Sequence, residues 1–583
     1  MSFTDLVRYM IAVHSVIEPA TKIMYIFMML SAIAFPIVGG ILAKNGKNLK
    51  IWIICSFVPL VLCIVHLLFH IYGNSLETTF NMYLTMYLMS LLFPLFVLLR
   101  NKKILFRIKA VLLSIVIFLG TYYSLSFEIG RRPGIRNFSH QSYTQAYLST
   151  IDCLKEIYVN SDWKAIDYDA INAEVYPLVE TAERENDKVK FLAAMQTLAY
   201  YLYDGHVHVD TNDYEVDEQS TELMCGNDYG FILFRLADGK TKAFDVDEDS
   251  EAYKNGIKSG TTVISWDNVP IDEAINNLKV INGFGLSFPV AENEDFLKPL
   301  FLAGKGGDTV KVGFIDENGK EKTAVVSKRG RYLERLQNAT THRYHIYYSD
   351  ITNPFADNFS TKMLNDEVGC LKITDETFDD WLETKAMITG EFPEMTEMLT
   401  QKITDLKRQG MKKLVIDLRN NAGGDLDIVI AIVSLFTDSR EIVNYWGGTR
   451  KMAIKVPTYL YGTGTFKDMP VFVLVNSNTY SAGDDMADYL RKLDNVTLAG
   501  MTCSNNASQP IGGLCVLPDD VWFYFPSFIS LNANGDVQGD TKADRIARIP
   551  VDIKIPVDEE LAHKIFETDE DAEMNYLLEH YIK

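Results

Sequence analysis

Positive charge is in deficit in this sequence: 56 Lys and Arg stand against 77 Asp and Glu, a formal charge of -21 over 583 residues. Binding nucleic acid takes a basic face that neutralises phosphates, so this balance excludes a nucleic-acid partner. Cysteine is also scarce, with seven in the chain and no Cys-x-x-Cys pair. A cysteine-based zinc site is therefore excluded, and no metal or cofactor is expected. Cys55 and Cys63 fall in apolar runs, where a thiol acts as a small hydrophobe. Cys503 and Cys515 flank a short stretch that an oxidising compartment would allow to bond, with two free thiols as the alternative. Internal repeats and long low-complexity tracts are absent, which excludes a solenoid and a disordered chain.

The charge deficit is uneven. Residues 1–136 hold 13 basic and 4 acidic residues, leaving 43 and 73 for the remainder. In the first part, Ile23–Ala43, Ile51–Tyr72, Phe80–Leu99 and Ala110–Phe127 are apolar on all sides and roughly 18–23 residues long, enough for each to cross a bilayer as a helix. One cleaved leader cannot account for four such runs. Lys44, Lys47 and Lys50 join the first two, and Arg100, Lys102, Lys103, Arg107 and Lys109 join the last two, while Gly73–Thr79 has no basic residue. Basic loops stay cytoplasmic, so both ends are expected outside. Arg131, Arg132 and Arg136 oppose that orientation. The expectation is a multi-pass protein of the cell membrane with its large domain extracytoplasmic.

Beyond the runs, residues 137–215 read as a small helical unit, with apolar spacings of three and four in Tyr147–Leu154 and Val189–Met195. It ends at Asp204-Gly-His-Val-His208, a turn entering a strand. Residues 216–330 carry short β runs between Gly and Asp turns. In residues 331–583, β and α patterns alternate, the signature of a layered α/β domain.

One segment there suits nucleophilic chemistry. Val471-Phe-Val-Leu-Val-Asn-Ser-Asn-Thr-Tyr-Ser481-Ala reads as a buried strand, a polar turn and a helix opening at Ser481. Unsatisfied N–H groups at a helix start favour developing negative charge, so the Ser481 hydroxyl and the Ala482 amide fit a nucleophile and an oxyanion donor. Serine is equally a preferred helix cap, which is the structural alternative. Upstream, Asp417-Leu-Arg-Asn-Asn-Ala-Gly-Gly424 ends a strand in paired glycines, whose backbone can approach a substrate closely.

Together these two segments resemble the C-terminal processing peptidase and tricorn-core family of serine peptidases, matching its Asp-Leu-Arg-x-Asn-x-Gly-Gly pattern. The resemblance spans roughly Tyr147 to Lys583 and implies a catalytic domain of the ClpP/crotonase-like α/β type acting on polypeptide, with Gly423 or Gly424 as second oxyanion donor. Ser250–Pro270 resembles the PDZ signature of helix, glycine turn and strand, which implies peptide docking by strand addition. The bacterial processing peptidases take a lysine as base where this chain has Asn505, and Asn accepts no proton. Lys492 is eleven residues from Ser481, about 16 Å along a helix. Asp204-Gly205-His206 instead resembles the Asp-Gly-His motif of the tricorn-like branch, which implies His206 as base, with His208 as its competitor. That branch places a serine before the histidine, where this chain has Gly205. Its acidic member precedes a Gly-Val-x-Pro-Asp stretch; Asp544-Arg-Ile-Ala-Arg-Ile-Pro-Val-Asp552 is similar, and counting back from Pro550 points to Asp544.

The sequence thus predicts a membrane-anchored serine peptidase using Ser481, His206 and Asp544. The alternative is a catalytically silent peptide- or lipid-binding protein of the same fold. Nothing in the sequence speaks to oligomeric state.

Overall fold

The structure, a computed structural model, describes residues 134–582 apart from 282–287, 341–357, 380–381, 384, 387–390 and 450–451. The four apolar runs lie outside the described residues, and no described helix is long and apolar enough to cross a membrane.

The chain enters on strand β1 (Gly134–Asn137) and three helices, α1 (Tyr143–Ile157), α2 (Tyr168–Glu185) and α3 (Lys188–Tyr201). Each helix starts where its sequence offers a capping side chain: Ser142 accepts the Gln145 N–H, Asp167 that of Ala170 and Asp187 that of Lys190. A turn then leads to β2 (His208–Thr211) and α4 (Tyr214–Cys225). The helices bury Leu154, Phe191, Met195 and Leu198 in one core with Cys515, Phe523 and Phe525, which come from strands far along the chain. The helical unit therefore shares its interior with the C-terminal half.

The β-rich insert holds a hairpin of β3 (Ile232–Arg235) and β4 (Thr241–Phe244), and a sheet in which β5 (Val263–Trp266) pairs with β6 (Val269–Pro270) and β7 (Thr309–Ile315), and β7 with β8 (Glu321–Ser327). A short helix over Glu251–Lys254, capped by Ser250, leads through Gly256 and Gly260, at φ 97° and 82°, into β5, the order that the sequence predicts. A longer helix, α5 (Ala291–Leu302), precedes β7.

The central sheet runs β9 (Phe359–Met363), β10 (Val368–Ile373), β11 (Lys413–Asp417), β14 (Val471–Leu474), β15 (Val496–Gly500) and β19 (Ile553–Lys554); all its pairings are parallel except that of β9 with β10. Its residues alternate faces, as strand geometry requires. Leu414, Ile416, Val471, Val473 and Leu498 pack against α6 (Pro393–Arg408), α7 (Leu426–Ser434) and α8 (Ala482–Leu490). Val415, Leu474 and Ala499 join the core of the insert and of α9 (Glu559–Glu567) and α10 (Ala572–His580). Such double burial is what the near-continuous apolar strands demand. Between β11 and β14 lies the long hairpin β12 (Arg440–Thr449) and β13 (Met452–Tyr461). After β15, β16 (Ile511–Val516) and β17 (Val521–Pro526) form a second sheet, ordered β1, β16, β17, β2, and β18 (Ser530–Asn532) adds to β12.

The insert is fastened rather than tethered. Phe234 and Phe244 meet Phe566 of α9 at ring distances of 5.0 and 5.9 Å, and Asn293 of α5 donates to the carbonyls of Cys503 and Ser504, both at 3.0 Å. The Cys503 thiol in turn donates to Asn293 Oδ1, at 3.2 Å, and Cys503 and Cys515 are both free. Of the two alternatives left open for this pair, the structure holds the free thiols: Cys515 lies in β16, where its thiol meets Cys153 of α1.

Candidate active site

Two loops leave the C-terminal ends of adjacent parallel strands, the usual place for a site in such a sheet. β11 and β14 pair with Asp417 opposite Leu474. From β11 comes Leu418–Gly424, and from β14 the turn that ends at Ser481. Hydrogen bonds join them: Thr479 Oγ1 donates to the Leu418 carbonyl at 2.6 Å, the Tyr480 N–H to that of Asn421 at 3.1 Å, and the Asn420 N–H to Asn476 Oδ1 at 2.9 Å. Arg419 anchors the first loop from behind, forking onto Asp417 and Asp571 at 2.7–2.9 Å and reaching the buried Glu573 at 3.2 Å.

Ser481 stands at the head of α8 with φ 59° and ψ -126°, a region that a residue with a Cβ rarely occupies. Holding it there costs on the order of 1–3 kcal/mol, so the flanking bonds must over-determine the turn. Ser481 makes no capping hydrogen bond, and its hydroxyl has no partner among the described residues. The capping alternative is therefore not what this serine does. The amide of Ala482, the first of the helix, likewise has no acceptor among the described residues.

Gly423, at φ 87°, lies against this turn: a methyl group there would be 2.4 Å from Ser481 Cβ and 2.8 Å from the Ala482 nitrogen. Only glycine allows that approach. Its own N–H donates to Asn421 Oδ1 at 2.8 Å. Gly424 is exposed, and its N–H has no acceptor among the described residues. Of the three expected oxyanion donors, Ala482 and Gly424 are thus available, while Gly423 is engaged.

His206 comes to this place from the helical unit. Asp204 Oδ1 accepts the His206 N–H at 2.9 Å, closing the turn between α3 and β2. A methyl group at Gly205 would sit 2.1 Å from Asn505 Oδ1 and 2.8 Å from Ala507 Cβ, while the Ala507 carbonyl accepts the Ser481 N–H at 3.0 Å. The His206 ring meets the ring of Tyr480, next to Ser481, edge to face at 6.2 Å. Ser481 and His206 are thus neighbours across one loop, residues 505–507. They are not hydrogen-bonded in this structure, and His206 Nδ1 has no partner among the described residues. Burial lowers the imidazole to about 4, opposed by the Asp204 carboxylate, so it is neutral at physiological pH and able to accept a proton. His208 instead stacks on Tyr524 at 4.7 Å and faces Asp210 at 3.6 Å.

Asp544 is placed otherwise than its motif implies. It is exposed; its carboxylate accepts the Ile546 N–H at 3.1 Å and pairs with Arg548 at 3.2 Å, both within its own loop. The buried acids on the histidine side are Asp204 and Asp540. Asn160 Nδ2 bridges Asp540 at 2.8 Å to Asp204 at 3.2 Å, and Lys164 Nζ donates to Asp540 at 2.6 Å and to the Tyr203 carbonyl at 2.8 Å. Tyr158 adds a hydroxyl to Asp204 at 2.6 Å. Burial pushes Asp540 up to about 7, with Lys164 pulling it back. No sequence signal marks this network, because Asp540 is 376 and 380 positions from its partners Lys164 and Asn160.

Residues 368–522 match the model of peptidase family S41. Over 87 residues the chain is 37% identical to a probable CtpA-like serine protease of Staphylococcus saprophyticus, which covers 15% of this chain and 17% of that protein. Over 107 residues it is 35% identical to the carboxy-terminal processing protease CtpA of Bacillus subtilis, covering 18% and 22% respectively. The chain thus spans about a fifth of the length of these curated relatives. Mature CPAF aligns over 74% of this chain and 99% of its own, at 13% identity and a TM-score of 0.44. The tricorn protease aligns over 76% and 37%, at 15% identity and a TM-score of 0.33.

Proposed function

From the match to peptidase family S41 over the segment that carries Ser481, we propose that this protein is a serine peptidase hydrolysing polypeptide through an acyl-enzyme. The observation that carries the proposal is Ser481 itself, strained at a helix start with its hydroxyl uncapped. In the reaction its oxygen attacks the scissile carbonyl while His206 takes the hydroxyl proton and returns it to the leaving amine. The amides of Ala482 and Gly424 receive the oxyanion, and Gly423 can join them if its N–H exchanges Asn421 for the substrate oxygen. The buried Asp204–Asn160–Asp540 chain, rather than Asp544, holds the histidine turn.

We assign the four apolar runs to membrane helices and the peptidase domain to the extracytoplasmic side, on the strength of the basic loops. The insert, by its resemblance to PDZ modules, is assigned to peptide docking.

Ser481→Ala should abolish both peptide hydrolysis and labelling by a fluorophosphonate probe; hydrolysis that persists in this variant removes the assignment. Labelling of the wild type at Ser481 also disposes of a silent binding protein. Protease added to intact cells should degrade the large domain, and protection until lysis would reverse the orientation.

A further inference from the structure

Asp484 is the third residue of α8 and is buried, yet its carboxylate serves neither the helix nor solvent. Oδ1 accepts the Asn506 N–H at 2.9 Å and Oδ2 the Ala507 N–H at 2.8 Å. Asn506, at φ 64°, turns these two successive amides toward one acceptor. The Ala507 carbonyl then returns to the Ser481 N–H, closing a ring from Ser481 through one helical turn to Asp484, across to the loop and back. The opposite side of the loop carries the histidine turn, with Gly205 against Asn505 and Ala507. Asn506 Oδ1 adds a third support by accepting the N–H groups of Arg548 and Ile549 at 2.6 and 3.0 Å. The segment that lies between His206 and Ser481 is thus tied to the helix of Ser481 by one carboxylate, which takes two of its successive amides.

We propose that Asp484 is a positioning residue that sets the separation of Ser481 and His206 by holding residues 505–507. This rests on the peptidase reading of the site. The two groups make no hydrogen bond with each other here, so packing through this loop determines their approach, and a misplacement of about 1 Å costs on the order of 100-fold in rate.

Asp484→Asn replaces one acceptor oxygen with an NH2 group that faces an amide N–H, so the loop loses a bond and gains a repulsion. The neighbouring Asp485 is the control: it too is buried, but it accepts from Gln538, at 3.1 Å, and takes neither of the loop amides of Asn506 and Ala507. Peptide hydrolysis, the rate of fluorophosphonate acylation and thermal unfolding are measured for the wild type, Asp484→Asn and Asp485→Asn. The expected result is a fall of about 100-fold in kcat and in acylation for Asp484→Asn alone, with KM within about twofold, while the two variants lose similar thermal stability. Unchanged kcat in Asp484→Asn, or an equal loss in Asp485→Asn, overturns the positioning role. Should Asp484→Asn not fold, Asp484→Glu keeps the carboxylate but displaces the loop by a methylene; full kcat in that folded variant overturns the role as well. A wild type that neither hydrolyses nor labels removes the peptidase reading, whereas an active wild type with an unaffected Asp484→Asn removes only this inference.

Discussion

The serine and the histidine are held in different ways. Ser481 sits between neighbours in the same sheet: its turn is bonded to the loop of the adjacent parallel strand, and its helix continues into the core beneath. His206 lies in the turn that leads into a strand of another sheet, and that turn is held through Asp204, Asn160 and Asp540, the last of these contacts joining residues 380 positions apart. The strain at Ser481 is local and locally restrained. His206 has an ordinary turn whose position depends on distant packing. Changes near Ser481 should therefore act on chemistry directly, and changes near His206 through geometry.

The largest effect that tests this contrast is removal of the base. His206→Ala should lower kcat by about 10²–10⁴-fold with little change in KM, the usual contribution of a general base. In the wild type the acid limb of kcat/KM should lie near pH 4, where the buried imidazole titrates, and a limb at pH 6.5 would assign the base elsewhere. Next come the glycines on each side. Gly423→Ala meets both a positive φ and the serine Cβ at 2.4 Å, so it should abolish detectable labelling of Ser481 even where the protein still folds. Gly205→Ala meets the side chains of Asn505 and Ala507 and not the Ser481 turn itself, so it should leave labelling measurable but slowed by about tenfold, with a stability loss of about 1–3 kcal/mol read by denaturant unfolding. If the two variants behaved alike, the contrast between local and distant restraint would fail.

A smaller effect concerns pH. Burial raises Glu376 and Asp485 to about 8 and Asp427, Asp484 and Asp540 to about 7, all well above the values these carboxyls have in an unfolded chain. The folded state then holds more protons than the unfolded state above pH 4, so these groups favour folding at low pH and lose that contribution as pH rises through 7 and 8. His206 acts oppositely, adding stability as pH rises from 4 to 6.5, and is level beyond. Calorimetry should record a Tm that falls between pH 6.5 and 8; a rise there contradicts the burial of these acids. The smallest effect is expected of Asp544→Asn, which removes only an exposed ion pair and should change stability by less than about 0.5 kcal/mol and leave kcat near wild type. A loss of kcat like that of His206→Ala would return Asp544 to the site.

Much of this arrangement was legible in the sequence, and what was legible was local. The apolar strand before Ser481, the helix after it and the glycine pair at 423–424 lie each within a dozen residues, and their period and turn chemistry follow from backbone sterics. The Asp204-Gly-His206 turn was legible for the same reason, since its defining bond spans two residues. The acid is harder to read, because counting from Pro550 assumes an unchanged loop, and the structure gives burial to Asp540 and solvent to Asp544. Asn160 and Lys164 could not be read at all: a polar residue near a helix end is unremarkable until folding sets a carboxylate opposite it. The sharing of one core between the helical unit and β16 and β17 was equally hidden, because apolar periodicity shows that a face is buried and not against what.

The first strand bears on how this protein can be cut. β1 forms the edge of the second sheet, paired in parallel with β16 from Gly134 opposite Gly513 to Asn137 opposite Val516. A polypeptide beginning near residue 130 keeps that edge covered. One beginning at residue 139 bares a row of unpaired N–H and C=O groups on β16, a template for pairing with other chains, and should aggregate where the longer one stays dispersed in light scattering.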